Sequence, residues 1–142
     1  MSDGALAERL FARDRFVAGL GLELIEAGPE GCVLACQVAE AHLNFNGTCH
    51  GGVIFTLADT AFGLAANAGG AVAIGIDTHL AFALPLRAGD RATARAYQVT
   101  RSRRLATYRV DVTRGDGQQV AAFTGTVLLT GDAHQTAEQP GS

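Results

Sequence analysis

Asp59 is the first residue of this chain with the means to do chemistry. It stands inside the run His50-Gly51-Gly52-Val53-Ile54-Phe55-Thr56-Leu57-Ala58-Asp59-Thr60-Ala61-Phe62-Gly63-Leu64-Ala65-Ala66-Asn67, and no other acid lies between Glu40 and Asp77. The run reads as one long helix, apolar nearly all round, of the kind normally buried inside a fold. A carboxylate carried into such a place must pair or shift its pKa. Satisfied by the neighbouring hydroxyls of Thr56 and Thr60, it would be structural. Left unpaired in an apolar site, it would be a general base or a nucleophile. Gly51 and Gly52 offer a second group. Backbone amides at a helix start lie at the positive end of its dipole, without acceptors, and suit a developing oxyanion. Gly51 and Asp59 are eight residues apart, about 12 Å along one helix at ~1.5 Å per residue. One helix cannot bring both to the same carbonyl. Two antiparallel copies can, so joint action requires at least a dimer with two equivalent sites.

Other residues admit two readings each. His50 is either a cap for the helix start or a direct participant. Cys49 beside it suggests a Cys–His dyad, but sequence neighbours rarely face each other usefully. His42, His50, His79 and Cys49 lack any metal-ligand spacing, so no metal is expected. Asn44 and Asn46 are turn formers by type, though either amide could hold a carbonyl or a water. Arg101, Arg103 and Arg104 are either a solvated turn or a phosphate clamp.

The elements that must carry these groups follow from periodicity. Leu6 to Val17 reads as a short amphipathic helix, ended by Gly19 and Gly21. Leu22 to Ala27 and Cys32 to Val38 read as strands joined at Gly28-Pro29-Glu30-Gly31. His42 to Cys49 is a polar loop, and the long helix stops at Asn67-Ala68-Gly69-Gly70. Ala71 to Leu84 alternates. Val72, Ile74, Ile76, Leu80, Phe82 and Leu84 fall on a large face expected to pack on the helix. Ala73, Gly75, Asp77, His79, Ala81 and Ala83 fall on a small face expected to line a pocket or a partner. Arg91 to Thr100, Leu105 to Thr113 and Gln119 to Leu129 complete the strands, the last two as a hairpin across Arg114-Gly115-Asp116-Gly117. That triplet is a turn here rather than an adhesion motif. Residues 1–130 are expected to be one α+β domain, with an antiparallel sheet of five to six strands around the long helix, and residues 131–142 a disordered tail.

Composition sets the limits. The chain has 142 residues, 48% hydrophobic and 18% charged, with a net charge of −3. This fits one globular domain and argues against nucleic acid as the main partner. All 11 basic residues are arginine, which excludes a Schiff-base or P-loop lysine. Three cysteines and no leader-like segment point to a reducing cytoplasm, and no apolar run spans a membrane without interruption.

The segment from Asn44-Phe45-Asn46-Gly47-Thr48-Cys49-His50-Gly51-Gly52 to Leu57-Ala58-Asp59-Thr60-Ala61-Phe62 resembles the hotdog-fold acyl-CoA thioesterases of the phenylacetate-degradation (PaaI) type. The likeness continues through Pro85 and Gly89-Asp90 to about Leu129. It implies a hotdog fold, a homodimer with shared sites and commonly a homotetramer. It implies hydrolysis of acyl-CoA thioesters, aryl-acetyl or hydroxyphenylacetyl, with no cofactor beyond the coenzyme A of the substrate. On that likeness Asp59 is the base or nucleophile and the Gly51 amide polarises the carbonyl. Asn44 orients water or substrate, and His50 supports the loop. Gly52, Thr60, Asp77 and Thr78 face the substrate, and Arg101, Arg103 and Arg104 meet its nucleotide. Relatives can carry a catalytic hydroxyl at or near the position of Gly75. A non-catalytic hotdog module that binds acyl-CoA or a protein is the alternative. A hotdog dehydratase ranks last, because the helix has no internal histidine.

Overall fold

Apolar residues at positions 54, 57, 58, 61, 62, 64 and 66 give the long helix one inward side, and the sheet wraps that side. The computed structural model describes residues 3–28 and 30–135. Helix α1 spans Asp3–Ala12 and helix α2 spans Gly51–Asn67. The strands are β1 (Leu22–Gly28), β2 (Gly31–Gln37), β3 (Ala71–Phe82), β4 (Arg91–Arg101), β5 (Leu105–Arg114) and β6 (Gln119–Ala133). They form one six-stranded antiparallel sheet in the order β1-β2-β4-β5-β6-β3. This is the hotdog arrangement that the sequence led us to expect.

Ile54, Leu57, Ala58, Ala61 and Phe62 are buried against Leu34, Ala94, Val110, Val112 and Phe123. Full burial of each large aliphatic or aromatic side chain is worth about 1.5–3 kcal/mol. Phe62 is the best-fitted of them. Its ring meets Tyr108 and Phe123 at centroid distances of 5.9 and 5.4 Å. A Cβ built on Gly125 would lie 2.7 Å from that ring, and one built on Gly75 would lie 3.2 Å away. Both glycines are there to admit the ring. Gly125→Ala is therefore expected to cost about 1–3 kcal/mol by overpacking, measured by urea denaturation. Phe62→Leu in the same chain should recover part of that loss.

Four expectations are corrected. The first helix ends at Ala12, not Val17. Asp14 Oδ1 accepts the Val17 N–H at 3.3 Å, and a single 3-10 turn, Val17–Gly19, follows; a short acceptor side chain favours a new start over continuation.

The large face of β3 does not pack as a unit. A bulge between Gly75 and Asp77 inserts Ile76 and reverses the alternation. Ahead of it Ala73 and Gly75 face α2; beyond it Leu80 and Phe82 do. Ile74 and Ile76 are left exposed, at 53% and 56%.

Helix α2 is not apolar all round. Gly52, Thr56, Asp59, Thr60, Gly63 and Asn67 form an open or half-open stripe, because the sheet covers only the opposite side.

Strand β6 also continues past Leu129 to Ala133. Pro29 and the end of the expected tail, residues 136–142, lie outside the described residues. The Arg114-Gly115-Asp116 triplet is a hairpin turn, with Arg114 paired to Asp116 at 2.8 Å. No helix among the described residues is long and apolar enough to cross a membrane.

Candidate active site

The start of α2 is held from below by a histidine pair. His42 is buried; its Nδ1 accepts the Ala39 N–H at 2.9 Å, and its Nε2 reaches the Leu20 carbonyl at 2.9 Å. A carbonyl only accepts, so Nε2 carries the proton and the tautomer is assigned by its partners. The His42 carbonyl then accepts the His50 N–H at 2.7 Å. His50 caps the helix, its Nδ1 accepting the Gly52 N–H at 2.8 Å. Its geometry is thus that of a helix cap.

This leaves the Gly51 N–H without an acceptor among the described residues, at the positive end of a 17-residue helix. Gly51 itself fits against Phe82; a Cβ there would lie 3.1 Å from the ring. Gly52, by contrast, has spent its amide on His50.

Asp59 occupies the middle of the open stripe. The two threonines that could have satisfied it do not. Thr56 Oγ1 donates to the Gly52 carbonyl at 2.7 Å, and Thr60 Oγ1 to the Thr56 carbonyl at 2.6 Å. The Asp59 carboxylate has no hydrogen-bond partner among the described residues. In the single chain it is exposed, not enclosed as the sequence suggested, because no second layer covers this side of α2. Even so, partial burial by its neighbours, then the negative charge of Asp14, push its carboxyl above the usual range. A cleft of about 510 Å³ opens beside it, lined by Phe62, Gly63, Gly75, Asp77 and Thr78. Position 75 cannot hold a hydroxyl without moving Phe62, so Thr78, past the bulge, is the hydroxyl nearest in sequence that shares the cleft.

Along the same stripe Asn67 is fully engaged. It donates to the carbonyls of Gly63 and Ala73 and accepts from the Ala73 N–H and from His134 Nε2, at 2.7 Å. His134 lines a second groove with Asp59 and Asp14. Nothing in the sequence singled it out, since it follows the last strand. Phe82 was likewise read only as a packing residue.

Asn44 Oδ1 accepts from the Asn46 N–H, the Thr48 N–H and the Thr48 hydroxyl. Its amide group has no acceptor among the described residues, so Asn44 can meet a ligand only as a donor. Arg101, Arg103 and Arg104 are exposed around a groove of about 400 Å³ with Ala71, Leu129 and Thr130. This groove lies at the far end of α2 from Gly51. His79 is exposed and lines neither the Asp59 cleft nor the arginine groove.

The dyad and metal alternatives find no support. Cys49 is buried, its thiol pushed up to about 11 by burial and by Cys36, so almost none of it is nucleophilic thiolate at neutral pH. No group of three His, Cys, Asp or Glu side chains among the described residues could hold a metal ion.

Residues 46–121 match the family model described as Thioesterase superfamily. A putative esterase of Deinococcus radiodurans is 44% identical over 76% of this chain and 74% of its own. The acyl-coenzyme A thioesterase PaaI of Escherichia coli is 31% identical over 84% of this chain and 85% of its own. A hypothetical thioesterase of Streptococcus pneumoniae, solved with coenzyme A, superposes with a TM-score of 0.82 at 25% identity, covering 89% of this chain and 98% of that one.

Proposed function

The chain belongs to the thioesterase superfamily, in the group typified by PaaI, and is an acyl-CoA thioesterase; from that premise we propose that its site is shared between two subunits, with Gly51 of one facing Asp59 of the other. The observation that carries this is a pair of uncommitted groups on one helix, the Gly51 N–H and the Asp59 carboxylate, too far apart to serve one carbonyl. The open edge of β3 supplies the means of assembly. It is 12 residues long, unpaired on its outer side among the described residues, and lies beside the Asp59 cleft. Such an edge calls for a cover. Two β3 edges paired about a two-fold axis would set the two α2 helices antiparallel and close both clefts. Two such dimers form the tetramer we expect.

In this arrangement the thioester carbonyl oxygen accepts from the Gly51 N–H, in line with the helix dipole. Asp59 of the partner subunit either attacks the carbonyl carbon or takes a proton from the water that does. In the first case a mixed anhydride forms, coenzyme A leaves as its thiolate, and water then hydrolyses the anhydride. In the second the tetrahedral adduct collapses directly to acid and thiolate. Asn44 donates its amide to the water or substrate, and Thr60 and Thr78 flank the carboxylate. The acyl group is of aryl-acetyl type. No cofactor enters either route.

The nucleotide lies along Arg101, Arg103 and Arg104. Arg103→Ala with Arg104→Ala is expected to raise KM about fivefold with kcat unchanged, given that exposed ion pairs are worth about 0.2–1 kcal/mol each. The effect should shrink at high salt and vanish for a pantetheine thioester, which lacks the nucleotide. Three unpaired thiols suit a reducing cytoplasm, where we place the enzyme.

The test of the whole reading is release of free thiol from a panel of acyl-CoA esters. Saturable turnover with second-order dependence on subunit concentration at high dilution supports it. Full activity from a protein that stays monomeric in the ultracentrifuge overturns the shared site.

A further inference from the structure

We infer that Phe45 of one subunit covers Asp59 of the other, seating its ring in the groove between α1 and α2 and shutting bulk water out of the site. The inference rests on the shared-site reading. Phe45 is 97% exposed, more than any other large apolar side chain among the described residues. It does not stand on a loose loop. The Asn44 N–H donates to the Thr48 carbonyl at 2.7 Å and the Gly47 N–H to the Asn44 carbonyl at 3.0 Å, and the Asn44 side chain accepts from the Asn46 and Thr48 amides. A large ring held out on a braced turn loses little further freedom on contact, which suits it to anchor an interface.

The two-fold arrangement says where the ring goes. When antiparallel α2 helices set Gly51 opposite the Asp59 of the other chain, the residues ahead of Gly51 lie opposite the part of that helix beyond Asp59. That part carries Gly63, where a Cβ would meet nothing within 4 Å. Glycine inside a helix is destabilising, and no close neighbour in its own chain requires this one. Gly63 lies between two recesses, and Asp59 lines both. Paired β3 edges close the one beside β3. The other, of about 400 Å³, opens toward α1 and has apolar walls in Leu10, Leu64 and Val72. Left open, it keeps Asp59 wet. Thr60 and Asn67, which also line it, already spend their donors within the chain, so a ring laid over them strands none. Phe45 and Asn44 then arrive on one turn. The ring excludes bulk water, and the amide beside it holds the single water or carbonyl that reacts.

Phe45→Ser is expected to lower kcat/KM about tenfold, as truncation of a buried aromatic anchor does, and Phe45→Leu to keep most of the activity. A side chain so exposed can be replaced without disturbing the fold of its own chain. The acid limb of the pH–rate profile should move to lower pH in Phe45→Ser, since a wetter carboxyl ionises more readily. Asp14, Asp77 and His134, the titratable side chains that share recesses with Asp59 among the described residues, are unchanged in this variant.

The location is tested by mixing Phe45→Ser chains with an excess of Asp59→Asn chains, at concentrations where the ultracentrifuge shows dimers. Each Phe45→Ser chain then pairs with a chain whose Phe45 is intact, and that ring covers the remaining carboxylate. Activity per Phe45→Ser chain should rise about tenfold, to the wild-type level per site. Wild-type turnover and an unmoved acid limb in Phe45→Ser alone overturn the inference. So does a defect that the excess leaves in place while the same Asp59→Asn chains rescue Gly51→Pro; the shared site then stands without Phe45. If neither variant is rescued, the shared-site reading falls and this inference with it.

Discussion

Asp59→Asn is expected to lower kcat/KM by about 10³-fold, inside the ~10²–10⁴ range for loss of a positioned base, while leaving the protein at least as stable as the wild type at pH 7. The two halves of this prediction share one cause. Asp59 sits among Phe62, Gly63 and the β3 backbone with no hydrogen bond to it among the described residues, and Asp14 adds repulsion. Its carboxyl is therefore raised. For an acid, a raised value in the folded state means that the folded chain holds the proton more tightly than the unfolded chain does. The contribution to stability is present below the unfolded value, about 3.9, and is lost as pH rises through the folded one. At neutral pH the ionised group opposes folding, and asparagine removes that opposition. The wild-type rate should rise with pH along an acid limb lying above the ordinary aspartate range, because only the carboxylate can act. Thermal melts and a pH–rate profile measure both. Full activity in Asp59→Asn would take this residue out of the mechanism.

Gly51→Pro is expected to lower kcat by about 10²–10³-fold, the usual loss on removing one oxyanion donor. Proline deletes the N–H and nothing else that the helix needs. Position 51 is the first residue of α2, where proline is well tolerated. His50, at φ −59° and ψ 134°, already has the extended conformation demanded of a residue before proline. The control is Gly51→Ala, which keeps the N–H and meets the same Phe82 ring. Any loss it shows reports the Cβ alone, and proline should fall well below it.

The two inactive variants also test the shared site together. When Asp59→Asn and Gly51→Pro chains are mixed, a mixed dimer holds one site with both groups intact and one with neither. Random exchange should then restore about one quarter of wild-type activity. Sites confined to single chains would restore none.

The sequence placed α2 correctly, offered His50 as its cap and singled out Asp59 and Gly51 as candidates, because these readings depend on local spacing and on the chemistry of single residues. All six strands were legible for the same reason: alternation and turn residues are local. What escaped was non-local. The bulge at Ile76 exists because β3 must serve both the Phe62 niche and the turn toward Phe82, and a single strand's alternation does not show it. The exposure of Asp59 depends on how many sides of α2 the sheet covers. An apolar sequence such as Phe55 to Phe62 cannot show this when small residues, Gly63 and the threonines, supply the open stripe. His134 reaches Asn67 only because β6 outruns its expected end.

The buried cysteines bear on the life of the enzyme. Each turnover liberates a thiol within reach of a protein that carries three unpaired sulfurs. Mixed disulfides with coenzyme A would form if any of these were an accessible thiolate. Cys32, Cys36 and Cys49 are all shielded in the core, and burial holds the Cys32 and Cys49 thiols at about 12 and 11. The fold thus insulates the catalyst from capture by its own leaving group, and it can be kept and assayed beside oxidised coenzyme A without covalent loading.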